Sequence, residues 1–156
     1  ASKYGLSPEQ FAANRARIVA RGAAEGFAFG PRSHIWNTFD AHRLLRWAGE
    51  EGPPGGQRAL KHALLTAYHG QGRNPGAHDV LLELAGRVGL PVERAREVLE
   101  RGEFAEEVRE AERFWQDVGI NGVPAVIVDR KHLISGGQPH EVFEQALRQI
   151  AAEQDA

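Results

Sequence analysis

The strongest fold signal in this chain is the segment Gly119-Ile120-Asn121-Gly122-Val123-Pro124-Ala125-Val126-Ile127-Val128. It begins with a glycine suited to ending a helix and continues into a β-branched run that favours a strand. A second apolar run, His132 to Ser135, follows after a short turn and leads into two glycines. The two runs predict a β-hairpin over residues 123–135.

The residues after the hairpin predict one amphipathic helix. Pro139 stands where a helix begins, and the apolar residues that follow recur at helical spacing, namely Val142, Phe143, Ala146, Leu147 and Ile150. We expect this face to pack on a sheet. Because a hairpin with one helix is too small to be a stable sheet domain, either the helical part covers the sheet or further strands lie outside the given residues.

The residues before the hairpin predict a block of helices. Ser7, Pro8 and Gln10 form the pattern of a capping box, and the helix that follows, to about Gly26, has only a thin apolar stripe and is expected on the surface. Further helices are predicted over residues 37–48, 60–68, 80–88, 91–101 and 104–118. The chain is therefore expected to be mostly helical.

The composition fits one globular domain, or a domain with an insertion: 156 residues, of which 42% are hydrophobic. The net charge of −2 comes from 19 basic and 21 acidic residues spread along the chain, which leaves no basic stripe for phosphates. No apolar run is long enough to cross a bilayer, and the first residues lack a signal-peptide pattern. We therefore expect a cytoplasmic protein that binds neither nucleic acid nor membrane.

The chain contains no cysteine and no methionine. Without a thiolate it has no disulfide, no redox centre and no cysteine nucleophile of its own. Its seven histidines form no His-Glu-x-x-His motif and no compact ligand pair, so no metal site is predicted. The sequence also lacks a Gly-x-Ser-x-Gly motif and a phosphate-binding loop.

The segment Gly119 to Pro124, the hairpin, Ser135-Gly136-Gly137-Gln138-Pro139 and the last helix together resemble the C-terminal half of a DsbA-like thioredoxin fold, most closely its FrnE-like branch. Matches in the helical part extend the resemblance over nearly the whole chain, among them Lys3-Tyr4-Gly5, Asn37 to Leu45, Glu83-Leu84-Ala85 and Val88-Gly89-Leu90. The resemblance implies an α/β, thioredoxin-like fold with a C-terminal β-β-α unit and a large inserted helical domain. It implies a helical domain over residues 1–118 and the C-terminal half of the thioredoxin-like domain over residues 119–156.

Members of this family are thiol/disulfide oxidoreductases with a Cys-x-x-Cys motif, and the resemblance places the first strand, that motif and the next helix before the helical domain. Nothing in these 156 residues corresponds to them, so we expect them ahead of Ala1 in a longer protein. The chain would supply the helical domain and the substrate groove, no catalytic residue and no cofactor, and would be inactive alone. Its partner would be a protein or small molecule with thiols or a disulfide.

Two alternatives stay open. The first is suggested by the related 2-hydroxychromene-2-carboxylate isomerases, which share the architecture but use glutathione. In that case the start of the helix after Gly137 and Gln138 would hold a carboxylate of glutathione. The other alternative is a redox-dead module that binds a protein partner, or a second copy in a homodimer, through its helical surface or an open sheet edge. An upstream Cys-x-x-Cys would indicate the oxidoreductase, a lone Ser in its place the isomerase, and a true start at Ala1 the binding module.

The resemblance assigns substrate binding to Gly122, Val123 and Pro124. In this family the matching proline is cis, and the backbone of the residue before it pairs with a substrate peptide like an added strand. The turn Asp129-Arg130 departs from the family's Asp-Gly, so we expect a looser or longer turn. His69 stands where the family has an aromatic residue.

A polar cluster on the second predicted helix is the candidate groove: Asn37, Asp40, His42 and Arg43, joined by Gly137 and Gln138 from the other part of the chain. Asp40 and Arg43 are three positions apart and therefore able to pair. The alternative interpretation, which the pattern favours, is an ordinary helix start capped by Asn37 or Thr38.

Overall fold

The computed structural model describes residues 7–31 and 34–154. Its elements are, in chain order, α1 (Pro8–Ala24), α2 (Phe39–Glu50), α3 (Gly56–Leu65), a π-helical turn (Thr66–Gly70), α4 (His78–Arg87), α5 (Val92–Glu100), α6 (Ala105–Asp117), β1 (Ala125–Val128), β2 (His132–Ser135) and α7 (His140–Gln154). The chain is mostly helical, as predicted.

Two compact units make up the chain: a helical unit, Ala1–Val108, and a hairpin unit, Arg109–Ala156. The division falls within α6, which contributes to both units. The predicted domain boundary between residues 118 and 119 lies just beyond the end of the same helix and stays a prediction.

Four helices enclose the core of the helical unit, because α2 and α4 each pack against both α3 and α5. Their apolar residues recur at helical spacing, and Leu44, Leu60 and Leu81 are fully buried. Trp47 is 1% exposed, and its indole N–H donates to the Glu51 carboxylate at 2.9 Å. The largest core side chain thus has its one polar atom satisfied.

The first helix, α1, lies on the surface of the helical unit, as predicted. The capping box of Ser7 and Gln10 is present, and none of the residues of α1 is buried. The segment after it is held to the π-helical turn, where the Gly30 N–H donates to the His69 carbonyl at 2.8 Å. The His69 ring packs edge-on against Phe29, with ring centroids 5.9 Å apart, so it fills the place of an aromatic side chain. Sequence reasoning did not predict the π-helical turn.

In the hairpin unit, β1 and β2 pair antiparallel, from Ala125 opposite Ser135 to Val128 opposite His132. The predicted hairpin is therefore confirmed. The predicted apolar face of α7 is only partly buried: Ile150 is 8% exposed, but Val142 and Leu147 are 41% and 48% exposed. Two short strands are too small a surface to cover that face.

The hairpin turn has left-handed backbone at two non-glycine residues, Asp129 with φ 50° and Arg130 with φ 56°. Lys131 N–H donates to the Val128 carbonyl at 3.1 Å, so the turn is hydrogen-bonded rather than loose. Because Val128 pairs with His132, residues 129–131 all lie in the loop. Of the two expectations for this turn, the longer loop is confirmed and the looser conformation is not found.

Candidate functional site

The predicted substrate-binding segment, Gly122 to Pro124, connects α6 to β1 within the hairpin unit. At the end of α6 the Gly119 N–H donates to the Gln116 carbonyl and the Ile120 N–H to the Trp115 carbonyl, both at 2.9 Å. With Gly119 at φ 90°, this is a Schellman motif, which ends the helix and redirects the chain. The Val123–Pro124 peptide bond is cis, the isomer that the resemblance implies.

Val123 presents both its side chain and its backbone to solvent. The residue is 90% exposed, and no hydrogen bond within the described residues engages its N–H or its carbonyl. The next residue is fixed, because the Pro124 carbonyl accepts a hydrogen bond from the Gly136 N–H at 2.8 Å. An unpaired backbone group thus stands directly beside an anchored one.

The edge of β1 that faces away from β2 continues this unpaired backbone. Among the residues described, β1 has β2 as its strand partner and no other. An open strand edge is a template for an added strand, and many peptide-binding domains use such an edge. Within the described residues, the backbone of Val123 and this edge of β1 thus have no partner strand.

Gly137 and Gln138, predicted as groove residues, close the turn between β2 and α7. The Gln138 side-chain amide donates to the Ser135 carbonyl at 2.8 Å, and its backbone N–H donates to the Gly136 carbonyl at 2.9 Å. Gly137 is exposed, with open space where a Cβ would stand. Gln138 thus has a local structural role.

The candidate cluster in the helical unit lies at the start of α2. The Asn37 side-chain oxygen accepts a hydrogen bond from the Phe39 N–H at 2.9 Å, whereas Thr38, at the cap position, makes no side-chain capping bond. Asn37, one position before the cap residue, thus supplies a side-chain acceptor to the first N–H of α2. His42 is exposed on the outer side of α2.

Arg43 is buried, and its guanidinium is engaged with α5 and the residues after it. Its Nε donates to the Glu103 carbonyl at 2.8 Å, and its Nη2 to the Val98 and Leu99 carbonyls. The Val98 and Leu99 carbonyls are among the last of α5, which lack partners within the helix and lie at its negative end. Arg43 therefore joins α2 to the end of α5.

Asp40 forms the predicted pair with Arg43, at 2.7 Å, and a second pair with His78 at the start of α4, at 2.9 Å. Partial burial acts to raise the pKa of Asp40, but the hydrogen bonds from His78 and Arg43 outweigh it and hold the pKa below its usual value. His78 was not singled out by sequence reasoning, because its partner lies 38 positions away.

The structure therefore unites Asn37, Asp40, His42 and Arg43 at one end of α2, and Gly122, Val123, Pro124, Gly137 and Gln138 around the hairpin. The first set belongs to the helical unit and the second to the hairpin unit. A groove that combines the two sets stays a prediction.

Sequence reasoning also missed an apolar cavity of about 510 Å³ inside the hairpin unit. Its lining includes Phe114 and Trp115 of α6, Val118 just after that helix, and Ile127 and Leu133 of the hairpin, while Arg130 and Lys131 stand at the turn. The aromatic pair was visible in the sequence, but its proximity to the strands depends on the turn at Gly119.

Within residues 7–31 and 34–154, no group of three or more His, Asp or Glu side chains is arranged to hold a metal ion. None of the helices described is both long enough and apolar enough to cross a membrane.

Comparison with known proteins identifies a family. A family model described as DSBA-like thioredoxin domain matches residues 2–148. Among solved structures, a protein described as a probable DsbA oxidoreductase from Streptomyces coelicolor is similar to this chain with a TM-score of 0.81 and 39% sequence identity. The match covers 97% of this chain and 65% of that one, so this chain spans less than the relative's full length. No significant match was found among curated proteins.

Proposed function

We propose a function for this chain from one premise: it belongs to the DSBA-like thioredoxin domain family. The chain is part of a thiol/disulfide oxidoreductase, for which it supplies the helical domain and the substrate-binding segment. Within the family we assign it to the FrnE-like branch, on the sequence matches from Lys3 to Leu90 and from Gly119 to Pro139.

The observation that carries this proposal is the exposed, unpaired backbone of Val123 beside the anchored Pro124. An extended substrate segment pairs there with the N–H and carbonyl of Val123, in the manner of an added strand. Backbone pairing is independent of side-chain identity, so the site accepts many sequences around a substrate cysteine.

Thiol–disulfide exchange itself requires a thiolate that attacks a disulfide sulfur and forms a mixed disulfide, while the other sulfur leaves as a thiolate. With no cysteine in the sequence, this chain supplies neither the attacking thiolate nor the leaving thiolate. The cysteines of the reaction come from outside these 156 residues, and Val123 and Pro124 hold the substrate backbone for them.

The partners that we propose follow from this role: a protein or small molecule with thiols or a disulfide, in the cytoplasm. Neither nucleic acid nor membrane is a proposed partner, since the charge of −2 is spread over the chain. The open edge of β1 also permits pairing between two copies.

A second candidate is the redox-dead binding module, which is favoured by the lack of cysteine together with the same open edge. It uses Val123 and β1 in the same way but serves no thiol reaction. For the glutathione-dependent alternative, the closed turn at Gln138 provides no additional support.

Nuclear magnetic resonance tests the proposal on the 156-residue chain. Titration with an extended peptide that contains one cysteine should shift the amide signals of Gly122, Val123 and Ala125, and leave those of α3 unchanged. Shifts spread evenly over both units would contradict it. In a dithiothreitol-driven insulin reduction assay the chain should give the rate of buffer alone, and glutathione should cause no shifts near Gln138.

The two candidates differ in the full-length protein. Reduction of insulin by the protein encoded by the complete reading frame would support the oxidoreductase. Peptide binding at Val123 without any such reduction would support the binding module instead.

A further inference from the structure

The exposed face of α3 is basic. The helix, Gly56–Leu65, contains no acidic residue, and Arg58, Lys61 and His62 are all exposed on it. Arg58 and His62 are four positions apart, so they lie one above the other on the same side of the helix.

Two open cavities flank this face. One, of about 710 Å³, lies between α3 and the end of α4, where Arg87 and Val88 form its far wall. The other, of about 490 Å³, lies toward α2 and is floored by Leu45 and Leu65. Arg58 and His62 line both cavities, so they form a shared basic ridge between two partly apolar depressions.

None of the described residues neutralises the charges of Arg58 and Lys61. Other arginines of the helical unit have close carboxylate partners, such as Arg94 with Glu51 at 2.9 Å and with Glu103 at 2.6 Å. In contrast, no ion pair or hydrogen bond among the described residues engages the side chain of Arg58, Lys61 or His62. None of the described residues that line either cavity is acidic, and the carboxylate beside Arg87, that of Glu83, is 3.9 Å from its guanidinium.

This combination defines the chemistry of a ligand. The basic side chains of α3 are complementary to carboxylates. The apolar floors of the two cavities are complementary to apolar side chains, which binding there removes from water. Two cavities on either side of one helix are more than a single small ion would fill. A peptide segment that alternates acidic and apolar residues meets both requirements.

We infer that the two cavities along α3 form one docking site for an acidic, partly apolar peptide segment of a partner protein. Carboxylates of the segment pair with Arg58 and Lys61, and its apolar side chains enter the cavities on both sides of the ridge. Arg87, which is 3.9 Å from Glu83, adds positive charge at the far wall of the larger cavity. This site lies within the helical unit and does not depend on Val123 or on thiol chemistry.

Fluorescence anisotropy with the 156-residue chain tests the inference. The probe is a labelled peptide that alternates glutamate and leucine; the reference peptides alternate lysine with leucine and glutamate with serine. Only the first should bind well, and its affinity should fall as salt is raised. Reversing two charges with Arg58→Glu and Lys61→Glu should weaken binding about tenfold.

Arg113→Glu is the matched control, because Arg113 is exposed on α6 in the hairpin unit and has no partner among the described residues. It should leave the affinity unchanged, and circular dichroism should show that all variants stay folded. If Arg113→Glu weakened peptide binding as much as the double variant Arg58→Glu, Lys61→Glu does, the inference would be overturned. The inference would also be overturned if the lysine–leucine peptide bound as tightly as the glutamate–leucine peptide, or if free glutamate displaced the latter completely. A dimer of the chain that dissociates in the α3 double variant would overturn it as well.

Discussion

Arg43 and Asp40 form an ion pair of 2.7 Å on α2, in which the Arg43 side chain is 5% exposed and the Asp40 side chain 30%. The same guanidinium holds the last carbonyls of α5, and the same carboxylate holds His78 on α4. The pair therefore connects three of the four helices that enclose the core.

We expect Arg43→Met to lower the free energy of unfolding of the helical unit by about 3 kcal/mol, because it removes one of the two partners of the Asp40 carboxylate and the charged donor to the buried carbonyls at the end of α5. Urea unfolding followed by circular dichroism measures the loss. Arg46→Met is the matched control on the same helix: Arg46 is 49% exposed and pairs with Glu50, so its loss should be under about 1 kcal/mol. Similar losses in both variants would contradict a special role for Arg43.

Stability should depend on pH through Asp40. Its pKa is lower in the folded chain than its usual value of 3.8, so folding favours the ionised form. The resulting stabilisation is fully present above pH 4 and is lost as the pH falls through the lowered pKa. Asp40→Asn should thus destabilise the chain by about 1 kcal/mol at pH 7, and its deficit relative to the unmodified chain should shrink on acidification below pH 4. A deficit that is constant with pH would exclude this linkage.

Arg130→Gly should stabilise the hairpin by about 1 kcal/mol, because Arg130 has φ 56°, a conformation that costs non-glycine residues about this much. Hydrogen exchange of the paired amides of β1 and β2 should slow accordingly. Arg130→Ala removes the same charge but keeps a Cβ, so it should bring no gain. If alanine stabilised the hairpin as much as glycine, the effect would come from charge and not from the backbone.

Gly76→Ala should destabilise the helical unit by about 2 kcal/mol, within the usual range for overpacking. A Cβ at this position would stand 2.2 Å from the Asn37 carbonyl oxygen, so the start of α2 would have to move away from the loop before α4. Thermal unfolding measures the change. Gly137→Ala, where a Cβ meets nothing within 4 Å, should be close to neutral, and an equal loss there would remove the steric explanation.

Local patterns predicted the helices and the hairpin correctly, because capping at Ser7, the end of α6 at Gly119 and the β-branched run from Val126 are encoded by neighbouring residues. Long-range contacts were not readable. The carbonyls that Arg43 binds lie 55 to 60 positions away, and no sequence spacing indicates them.

The basic face of α3 was present in the sequence as a helix without acids, but its significance depends on cavities that three separate helices form. The significance of the exposed backbone of Val123 likewise depends on the structure. The family pattern predicted its role, but only the hairpin geometry shows that Pro124 is anchored while Val123 is unpaired.

The most direct test of the central claim compares two variants of Val123 in their affinity for an extended, cysteine-containing peptide. Val123→Ala keeps the backbone N–H and should bind as well as the unmodified chain. Val123→Pro removes the N–H and should weaken binding about tenfold, with the hairpin signals otherwise unchanged. Equal affinity of the two variants would contradict the claim that this chain holds its substrate by the backbone of Val123.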